Sequence, residues 1–317
     1  MKNNILVIKH GALGDIILAG SAMQAIRNYH KNDNIICLTT TAFEELLKCS
    51  PWFDMVFIDS KPKWRDFKDW SILKIFFNKY KFKNVYDLQT SYRSNLYFFL
   101  FFANKKSNWS GIAIGSKYRH NNKNRKTMHT YDRQKDQLKL AGIQYDELPD
   151  WKWLASNYDN KSILPKDKFI IIVTGSAKHR KNKRWPEEKY ASLIEYLSNI
   201  GIKSILIGGI EESRHINNII YKVSNEMKFI PLNYAGKTSF KDLVLLSRYA
   251  ICAIGNDTGP MHLLASSGLS AIVLFGAVSN PDLCAPLGKN VNIINKDSIS
   301  DIKVEKVLKI LKTIGID

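Results

Sequence analysis

The chain has 317 residues, of which 45% are hydrophobic, and its formal net charge is +18. This length suits two domains of about 150 residues better than one, and the hydrophobic content is enough for two cores. No run of about 18 apolar residues occurs, which excludes a membrane-spanning helix, and residues 1–30 lack the core of a signal peptide. We therefore expect a soluble, cytoplasmic protein.

The positive charge is concentrated in the first half. Residues 1–155 contain 25 Lys and Arg against 14 Asp and Glu, and residues 156–317 contain 22 against 15. This charge favours anionic partners such as nucleic acid, an anionic membrane face or phosphorylated small molecules. AT-rich coding, which enriches lysine and asparagine, is the alternative explanation. The four cysteines are scattered without a CxxC pair, which indicates neither a zinc site nor a disulfide framework.

Short apolar runs alternate with amphipathic segments through the first half. The predicted strands are residues 5–8, 34–38, 55–58 and 84–88, and the predicted helices are residues 16–29, 42–48, 72–80 and 132–141. This alternation is typical of a parallel sheet covered by helices on both faces. The loop of residues 87–93 follows the fourth strand, at the edge where open α/β sheets bind ligands.

Two segments of the first half allow two interpretations each. Residues 96–103, LYFFLFFA, are the most apolar run of the chain. They are too short to span a bilayer, so we predict a buried helix, with docking on a membrane surface beside Lys105 and Lys106 as the alternative. Residues 116–133 form a basic loop that is either solvated or binds an anionic substrate.

The second half repeats the alternation after a connecting segment at residues 142–166. Its predicted strands are residues 169–173, 204–207, 250–254 and 271–275, and its predicted helices are residues 187–200, 212–223, 240–247, a helix after Gly259, and 304–313. We therefore predict an α/β fold of two doubly wound, parallel-sheet domains, residues 1–155 and 156–317.

The most informative turn lies in residues 255–276, GNDTGPMHLLASSGLSAIVLFG. Asp257 and Thr258 are of helix-capping types, and Pro260 fits the first turn of a helix. The start of a helix after a strand presents unpaired N–H groups, and Gly259 lets a phosphate approach the backbone. The turn is therefore either a diphosphate site or an ordinary part of the scaffold.

Three further positions could carry chemistry. Asp15, after Gly14 at a predicted helix start, is either a helix cap or a general base. The basic loop of residues 174–185 could neutralise a leaving phosphate, or it could simply be solvated. Glu212 follows a glycine pair and could bind ribose hydroxyls or cap a helix.

Several common motifs are absent from the sequence. It has no GxGxxG, GxxxxGK[ST], HExxH or GxSxG motif, and no Asp-x-Asp. These absences count against a dehydrogenase, a P-loop ATPase, a zinc protease with an HExxH motif and an α/β-hydrolase. Without Asp-x-Asp, a diphosphate would have to be bound by Lys, Arg and backbone N–H groups.

Five motifs in order resemble glycosyltransferase family 9, the ADP-heptose:lipopolysaccharide heptosyltransferases. They are Lys9-x-x-x-x-Gly14-Asp15, Lys183-Arg-Trp-Pro-Glu187, Gly208-Gly-x-x-Glu212, Ala235-Gly-Lys237 and Asp257-Thr-Gly-x-x-His262. The resemblance implies a GT-B architecture, in which two Rossmann-like domains face each other across a cleft. It also implies inverting, metal-independent transfer without a cofactor, from ADP-heptose on the second domain to a lipid-linked inner-core saccharide on the first.

The resemblance also assigns roles to residues. Asp15 matches the proposed base, Lys183 the lysine that contacts phosphate, and Glu212 the acid that binds ribose. The remaining donor-site residues are Ser176, Asp257, Thr258, Gly259 and His262. The residues predicted to bind the acceptor are Lys9, Gln89, Arg93, His129 and Arg133.

Two other functions remain open at this stage. A GT-B enzyme for another nucleotide sugar of a cell-envelope glycan would share every motif above. A non-enzymatic nucleic-acid-binding protein would explain the charge, but no nucleic-acid module matches, so no nucleic acid is expected. The expected partners are a nucleotide sugar and an anionic lipid-linked acceptor, with possible peripheral contact at the cytoplasmic face of the inner membrane.

Overall fold

The computed structural model describes residues 2–103, 106–175, 181–224 and 226–316. The chain divides into two compact units, Met1–Glu147 and Leu148–Asp317, which we call the N-terminal and C-terminal units. The sequence predicts the boundary after residue 155, but residues 148–155 belong to the C-terminal unit. The N–H of Trp151 donates to the carbonyl of Ser266, with 3.2 Å between nitrogen and oxygen, and thereby ties this segment to the C-terminal unit.

The described part of the N-terminal unit is built on a six-stranded parallel sheet with the order β3-β2-β1-β4-β5-β6. The strands are β1 Asn4–Ile8, β2 Asn34–Thr39, β3 Met55–Ile58, β4 Asn84–Asp87, β5 Asn108–Gly111 and β6 Tyr118–Arg119. The helices are α1 Leu13–Leu18, α2 Gly20–Tyr29, α3 Glu44–Lys48, α4 Phe67–Tyr80, α5 Tyr92–Tyr97 and α6 Thr130–Lys139.

The described part of the C-terminal unit also contains a six-stranded parallel sheet, with the order β12-β11-β10-β7-β8-β9. Its strands are β7 Phe169–Val173, β8 Lys203–Ile207, β9 Leu232–Asn233, β10 Ala253–Asn256, β11 Ala271–Phe275 and β12 Val291–Asn295. The helices are α7 Glu187–Asn199, α8 Ser213–Tyr221, α9 Phe240–Ser247, α10 Gly259–Ser266, α11 Pro281–Cys284 and α12 Val304–Thr313.

Both sheets have the strand order of a Rossmann fold when the strands are counted from the start of each unit. The predicted pair of doubly wound, parallel-sheet domains is therefore confirmed. The order reverses between β1 and β4 in the N-terminal unit and between β7 and β10 in the C-terminal unit. Ligands of open parallel sheets bind beyond the carboxyl ends of the strands at such a reversal, so these two points are where a site is expected.

The terminal helix α12 belongs to the core of the C-terminal unit. Its Val307 and Leu311 are fully buried in the same cluster as Leu193 and Leu197 of α7. Full burial of such an aliphatic side chain contributes about 1.5–3 kcal/mol. The indole N–H of buried Trp185 donates to the carbonyl of Ile302, 2.9 Å away, and so fixes the segment that leads into α12.

The structure differs from the sequence-based elements in two respects. Residues 96 and 97 end α5, and a π-helical turn, Phe98–Phe102, follows it. In this turn Phe98 and Phe102 are buried, while Phe99 and Leu100 are 53% and 51% exposed. The prediction of a buried helix is therefore wrong for one face of this segment. The sequence analysis also missed β5, β6, β9 and β12. Strands β6 and β9 have only two residues each, and polar residues interrupt the short apolar stretches of β5, NWSG, and β12, VNIIN.

No helix in the described residues is both long and apolar enough to cross a bilayer.

Candidate functional site

The candidate site of the N-terminal unit begins at the carboxyl end of β1. Lys9 follows this strand and is only 4% exposed, and its Nζ donates to the carbonyl of Leu88 at 3.3 Å. Burial lowers the pKa of Lys9, and the positive charge of Arg133 lowers it further, while the negative charge of Asp15 opposes both effects. Lys9, Asp15 and Arg133 therefore interact electrostatically within one cluster.

Asp15 is half-buried in the first turn of α1. Its Oδ2 accepts a hydrogen bond from the N–H of Ala12 at 3.1 Å, so it does cap the helix. Its Oδ1 has no hydrogen-bond partner among the described residues. The capping role and the role of a base are compatible, because each uses a different carboxylate oxygen.

The carboxyl end of β4 supplies a second, buried carboxyl group. Asp87 is fully buried, and its Oδ1 accepts from the N–H groups of Gln89 at 3.1 Å and Thr90 at 2.9 Å. Burial raises the pKa of Asp87 to about 6, although these hydrogen bonds oppose the shift. Gln89 in turn accepts from the N–H of His10 at 2.9 Å, so it joins the loops that follow β1 and β4.

Arg125 is a residue of this site that the sequence analysis missed. It is half-buried, and its Nη2 donates to Oγ1 of Thr90 at 2.6 Å. Burial lowers the pKa of Arg125, and the neighbouring charge of Arg133 lowers it further, while Asp87 raises it. Lys9, Arg125 and Arg133 therefore form a group of three interacting cations, which we call the cationic cluster.

The loop that carries Arg125 is not simply solvated. His120 is 3% exposed and its Nε2 lies 2.8 Å from Oδ2 of Asp136 on α6, which also accepts from Asn122 at 2.7 Å. These contacts attach the loop to α6, where Arg133 lies. The basic composition of residues 116–133 was the available signal, but spacing alone could not show that Arg125 is half-buried while Arg119 is exposed.

Arg93 and His129, which are also predicted to bind the acceptor, have structural partners too. Nη1 of Arg93 donates to the carbonyl of Pro62 at 3.2 Å and to Oη of Tyr97 at 3.4 Å. His129 caps α6 by accepting from the N–H of Tyr131 at 3.2 Å, and its carbonyl accepts from the N–H of Arg133. Acceptor binding by Arg93 and His129 stays a prediction.

A buried contact between an imidazole and a carboxyl group supports the same region. Nε2 of His10 lies 2.9 Å from Oδ2 of Asp59, which also accepts from the hydroxyl of Tyr97 at 2.5 Å. Burial raises the pKa of Asp59, but His10 and Tyr97 outweigh this effect and hold it below the usual value. The pair fixes the residue that follows Lys9, and nothing in the local sequence signalled it.

The candidate site of the C-terminal unit is organised by Asn256, the last residue of β10. Its fully buried side chain donates to the carbonyls of Thr174 at 2.9 Å and Gly175 at 3.2 Å, beyond the end of β7. Its Oδ1 accepts from the N–H of Trp185 at 3.1 Å and the hydroxyl of Tyr190 at 2.9 Å. Asn256 therefore ties together the segments that carry the site.

Asp257 follows directly and lies between two basic side chains. Its Oδ2 accepts from Nζ of Lys183 at 2.7 Å, and its Oδ1 lies 3.5 Å from Nε2 of His262. Burial alone would raise the pKa of Asp257, but His262 and Lys183 lower it to about 2. The structure therefore brings Lys183 of one motif to Asp257 and His262 of another.

Thr258 is the N-cap residue of α10, but its side chain does not cap the helix. Its hydroxyl donates instead to the carbonyl of Asn256 at 3.2 Å, so the capping expectation for this residue is wrong. A side-chain cap would occupy N–H groups of the first turn, which begins at Gly259. Pro260 has no N–H, and the N–H of Met261 already donates to the carbonyl of Thr258 at 3.1 Å, so in the described part of this turn the N–H of Gly259 is the donor left for an anion.

Glu212 lies beside the loop that follows β7. Its Oε2 accepts from the N–H of Gly209 at 2.9 Å, and its Oε1 lies 3.8 Å from Nη2 of Arg184. A Cβ atom on Gly175 would be only 1.8 Å from Oε1 of Glu212, so only glycine permits this approach. Ser176, another predicted donor-site residue, lies outside the described residues.

Among the described residues, no group of three or more His, Cys, Asp or Glu side chains is arranged to hold a metal ion.

The sequence profile of glycosyltransferase family 9 (heptosyltransferase) matches residues 76–313. Lipopolysaccharide heptosyltransferase 2 of Salmonella typhimurium is 28% identical over 45% of this chain and 43% of its own length, so the match spans less than half of that relative. Lipopolysaccharide core heptosyltransferase OpsX of Haemophilus influenzae is 23% identical over 92% of this chain and 84% of its own length.

The fold is also similar to that of solved structures. The structure of ADP-heptose lps heptosyltransferase II from E. coli superposes with a TM-score of 0.79, at 21% identity, over 99% of this chain and 98% of the E. coli chain. At this identity the similarity shows the fold, which is GT-B.

Proposed function

This chain belongs to glycosyltransferase family 9, the heptosyltransferases, and from that premise we propose that it transfers a heptose from ADP-heptose to a hydroxyl group of the lipopolysaccharide inner core. The transfer inverts the anomeric centre and uses neither a metal ion nor a cofactor. The observation that carries the proposal is the contact of Lys183 with Asp257 beside the uncapped start of α10. It brings a cation to the positive end of a helix at the strand reversal of the C-terminal unit.

The donor occupies this C-terminal site. The diphosphate of ADP-heptose accepts a hydrogen bond from the N–H of Gly259 at the start of α10, where the helix dipole favours negative charge. Lys183 neutralises the charge that develops on ADP as it leaves. Glu212 accepts hydrogen bonds from the ribose hydroxyls. Because Lys183 already neutralises Asp257, the site has no free pair of carboxylates with which to bind a divalent cation.

The acceptor occupies the N-terminal site. The cationic cluster of Lys9, Arg125 and Arg133 lies beside Asp15 and binds the anionic groups of the acceptor, since arginine pairs well with carboxylates and phosphates. Gln89 holds the loops that carry these groups in register. Nucleic acid is not a partner under this proposal.

Asp15 acts as the general base. Its carboxylate takes the proton of the acceptor hydroxyl as the hydroxyl oxygen attacks C1 of the heptose on the face opposite ADP. The bond from C1 to the ADP oxygen breaks, and both electrons leave with ADP. The sugar passes through an oxocarbenium-like state, as in glycoside hydrolysis.

The proposal places the enzyme in the cytoplasm, at the cytoplasmic face of the inner membrane. A lipid-linked acceptor is held in that membrane, whereas ADP-heptose is dissolved in the cytoplasm. Under this proposal the enzyme approaches that membrane by peripheral contact.

The test is Asp15→Asn. We expect transfer to fall by about 10²- to 10⁴-fold, the usual contribution of a general base. Binding of ADP-heptose, measured by calorimetry with EDTA present, should be unchanged. Asp146→Asn is the matched control, because the carboxylate of Asp146 belongs to the same unit and is 87% exposed. Near-normal turnover of Asp15→Asn would rule out the assigned base.

A panel of nucleotides tests the donor separately. A ligand that binds only the folded protein raises its stability by about 2.7 kcal/mol at a hundredfold excess over the dissociation constant. We expect thermal stabilisation by ADP and ADP-heptose but not by UDP or GDP. Stabilisation by UDP or GDP alone would instead identify a glycosyltransferase for another nucleotide sugar.

A further inference from the structure

An open, apolar cavity lies on the N-terminal unit, and its lining residues are distinct from those of the candidate site. Its volume is about 470 Å³, and it is lined by Trp64, Phe67, Trp70, Ser71, Lys74, Leu100 and Phe101. Three of these side chains are largely exposed: Trp64 by 77%, Phe67 by 74% and Leu100 by 51%. We call Trp64, Phe67 and Leu100 the aromatic rim.

The fold does not need the aromatic rim for its core. Helix α4 already buries Leu73, Phe76 and Phe77, which share one face by helical spacing. Phe67 belongs to the same helix but lies on another face, and Trp64 lies in the loop before it. Exposed side chains of this size, gathered around one cavity, are typical of an interaction surface.

The segment that carries this rim is strongly basic. Residues 61–81 contain seven Lys and Arg and only two Asp. Lys63, Arg65, Lys68 and Lys74 are all exposed, and within the described residues none of them forms an ion pair. Their charge is therefore available to a partner, and it is complementary to an anionic one.

We propose that the aromatic rim docks this protein on an anionic lipid bilayer. Trp64, Phe67 and Leu100 enter the interface between headgroups and acyl chains, where tryptophan is favoured. Lys63, Arg65 and Lys68 lie against the anionic headgroups, each lysine or arginine near such a surface contributing about 1 kcal/mol. This inference rests on the proposed function, because the lipid-linked acceptor of that reaction is held in the membrane.

A bilayer fits these features better than a second copy of the chain. Pairing of two such surfaces would bring the positive charges of two copies together, and like charges repel across an interface. Anionic headgroups, by contrast, neutralise the cations while the acyl region receives the apolar side chains.

The experiment is co-sedimentation with vesicles of phosphatidylethanolamine and phosphatidylglycerol, compared with vesicles of phosphatidylcholine alone. The wild-type protein is expected to bind the anionic vesicles, and less at high salt, but not the neutral ones. The double variant Trp64→Ser and Phe67→Ser should bind at least about tenfold more weakly, since it loses two large apolar groups. Because both residues are exposed, the variant should keep its thermal stability.

The control is the double variant Tyr221→Ser and Ile230→Ser in the C-terminal unit, where these side chains are 92% and 70% exposed. It removes a similar amount of exposed apolar surface and should bind vesicles like the wild type. A wild-type protein that ignores anionic vesicles, or an aromatic-rim variant that binds them equally well, overturns the proposal. A wild-type dimer that the aromatic-rim variant dissociates, without vesicle binding, would identify a second copy as the partner instead.

A separate activity measurement distinguishes this inference from the proposed function. With a deacylated, water-soluble acceptor, the aromatic-rim variant should transfer heptose at the wild-type rate. Vesicle binding without transfer would leave the docking surface in place and reject the enzyme function. Transfer without any vesicle binding would support the enzyme function and reject the docking surface.

Discussion

Lys183 and Asp257 form a buried ion pair 74 residues apart in sequence, with 2.7 Å between Nζ and Oδ2. Their side chains are 10% and 8% exposed. Removal of two such charges from water is costly, and the attraction between them offsets this cost only while both are present. The pair therefore couples the stability of the C-terminal unit to the geometry of the proposed diphosphate site.

Lys183→Met should destabilise the protein. The substitution leaves Asp257 buried with only His262 beside it, and loss of one partner of a buried pair costs about 3 kcal/mol. Chemical denaturation at neutral pH measures this loss. Lys203→Met is the matched control, because Lys203 pairs with Asp167 in the same unit at 20% and 40% exposure and should cost less than about 1 kcal/mol.

The same variant has a defined pH dependence. His262 and Lys183 together hold the pKa of Asp257 at about 2, below its usual value of 3.8. A carboxylate with a lowered pKa in the folded state contributes stability above pH 4 that is lost as the pH falls towards 2. The difference in unfolding free energy between wild type and Lys183→Met should therefore shrink below pH 4. An equal difference at all pH values would show that lost packing, not charge, dominates.

Gly175→Ala should impair nucleotide binding. The new Cβ would lie 1.8 Å from Oε1 of Glu212, so the carboxylate must move away from its place beside β7. We expect the dissociation constant for ADP to rise by about tenfold, as for the loss of a charge-assisted hydrogen bond. Gly209→Ala is the control, because its Cβ would meet Glu211 at an ordinary 3.6 Å. Similar affinities for ADP in both variants would contradict the role of Glu212.

Much of the fold was predictable from the sequence because its strands are continuous apolar runs. Strands such as β7, FIIIV, and β11, AIVLF, are buried along their whole length and bounded by polar turns. Their regular alternation with helices predicts parallel sheets. Strands β6 and β9 could not be predicted, because two residues carry no periodicity and pairing with β5 and β8 alone defines them.

The candidate site was predictable where a motif also has a local structural role. Asp15 and Glu212 lie at helix starts, and Asp257 follows a strand, so their positions carry a local signal. Arg125 and Asn256 carry no such signal, because long-range contacts with Thr90 and with Thr174 decide their importance.

Arg125→Gln should weaken binding of an anionic acceptor. Nη2 of Arg125 contacts Thr90, and its charge interacts with those of Arg133 and Asp87. Under the proposed function we expect KM for the acceptor to rise by about tenfold, with the affinity for ADP unchanged. Arg119→Gln, at an exposed residue of β6, is the control for the loss of charge alone. If the two variants change KM equally, general attraction and not a specific contact explains acceptor binding.

Asp87→Asn should change how stability depends on pH. Burial raises the pKa of Asp87 to about 6 from its usual value of 3.8. Between these values the folded state binds a proton that the unfolded state has released, so this group lowers stability as the pH rises from 4 to 6. At pH 7 the cost is about 3 kcal/mol, since one pKa unit corresponds to about 1.4 kcal/mol.

The asparagine cannot ionise, so this cost should be absent from the variant. Its Oδ1 can still accept from the N–H groups of Gln89 and Thr90. Relative to wild type, Asp87→Asn should therefore gain stability as the pH rises from 4 to 6, and the difference should stay constant above pH 7. Chemical denaturation at several pH values measures it. A difference that does not depend on pH would mean that Asp87 remains ionised through this range, as it would if the positive charges of Lys9 and Arg125 compensated fully for its burial.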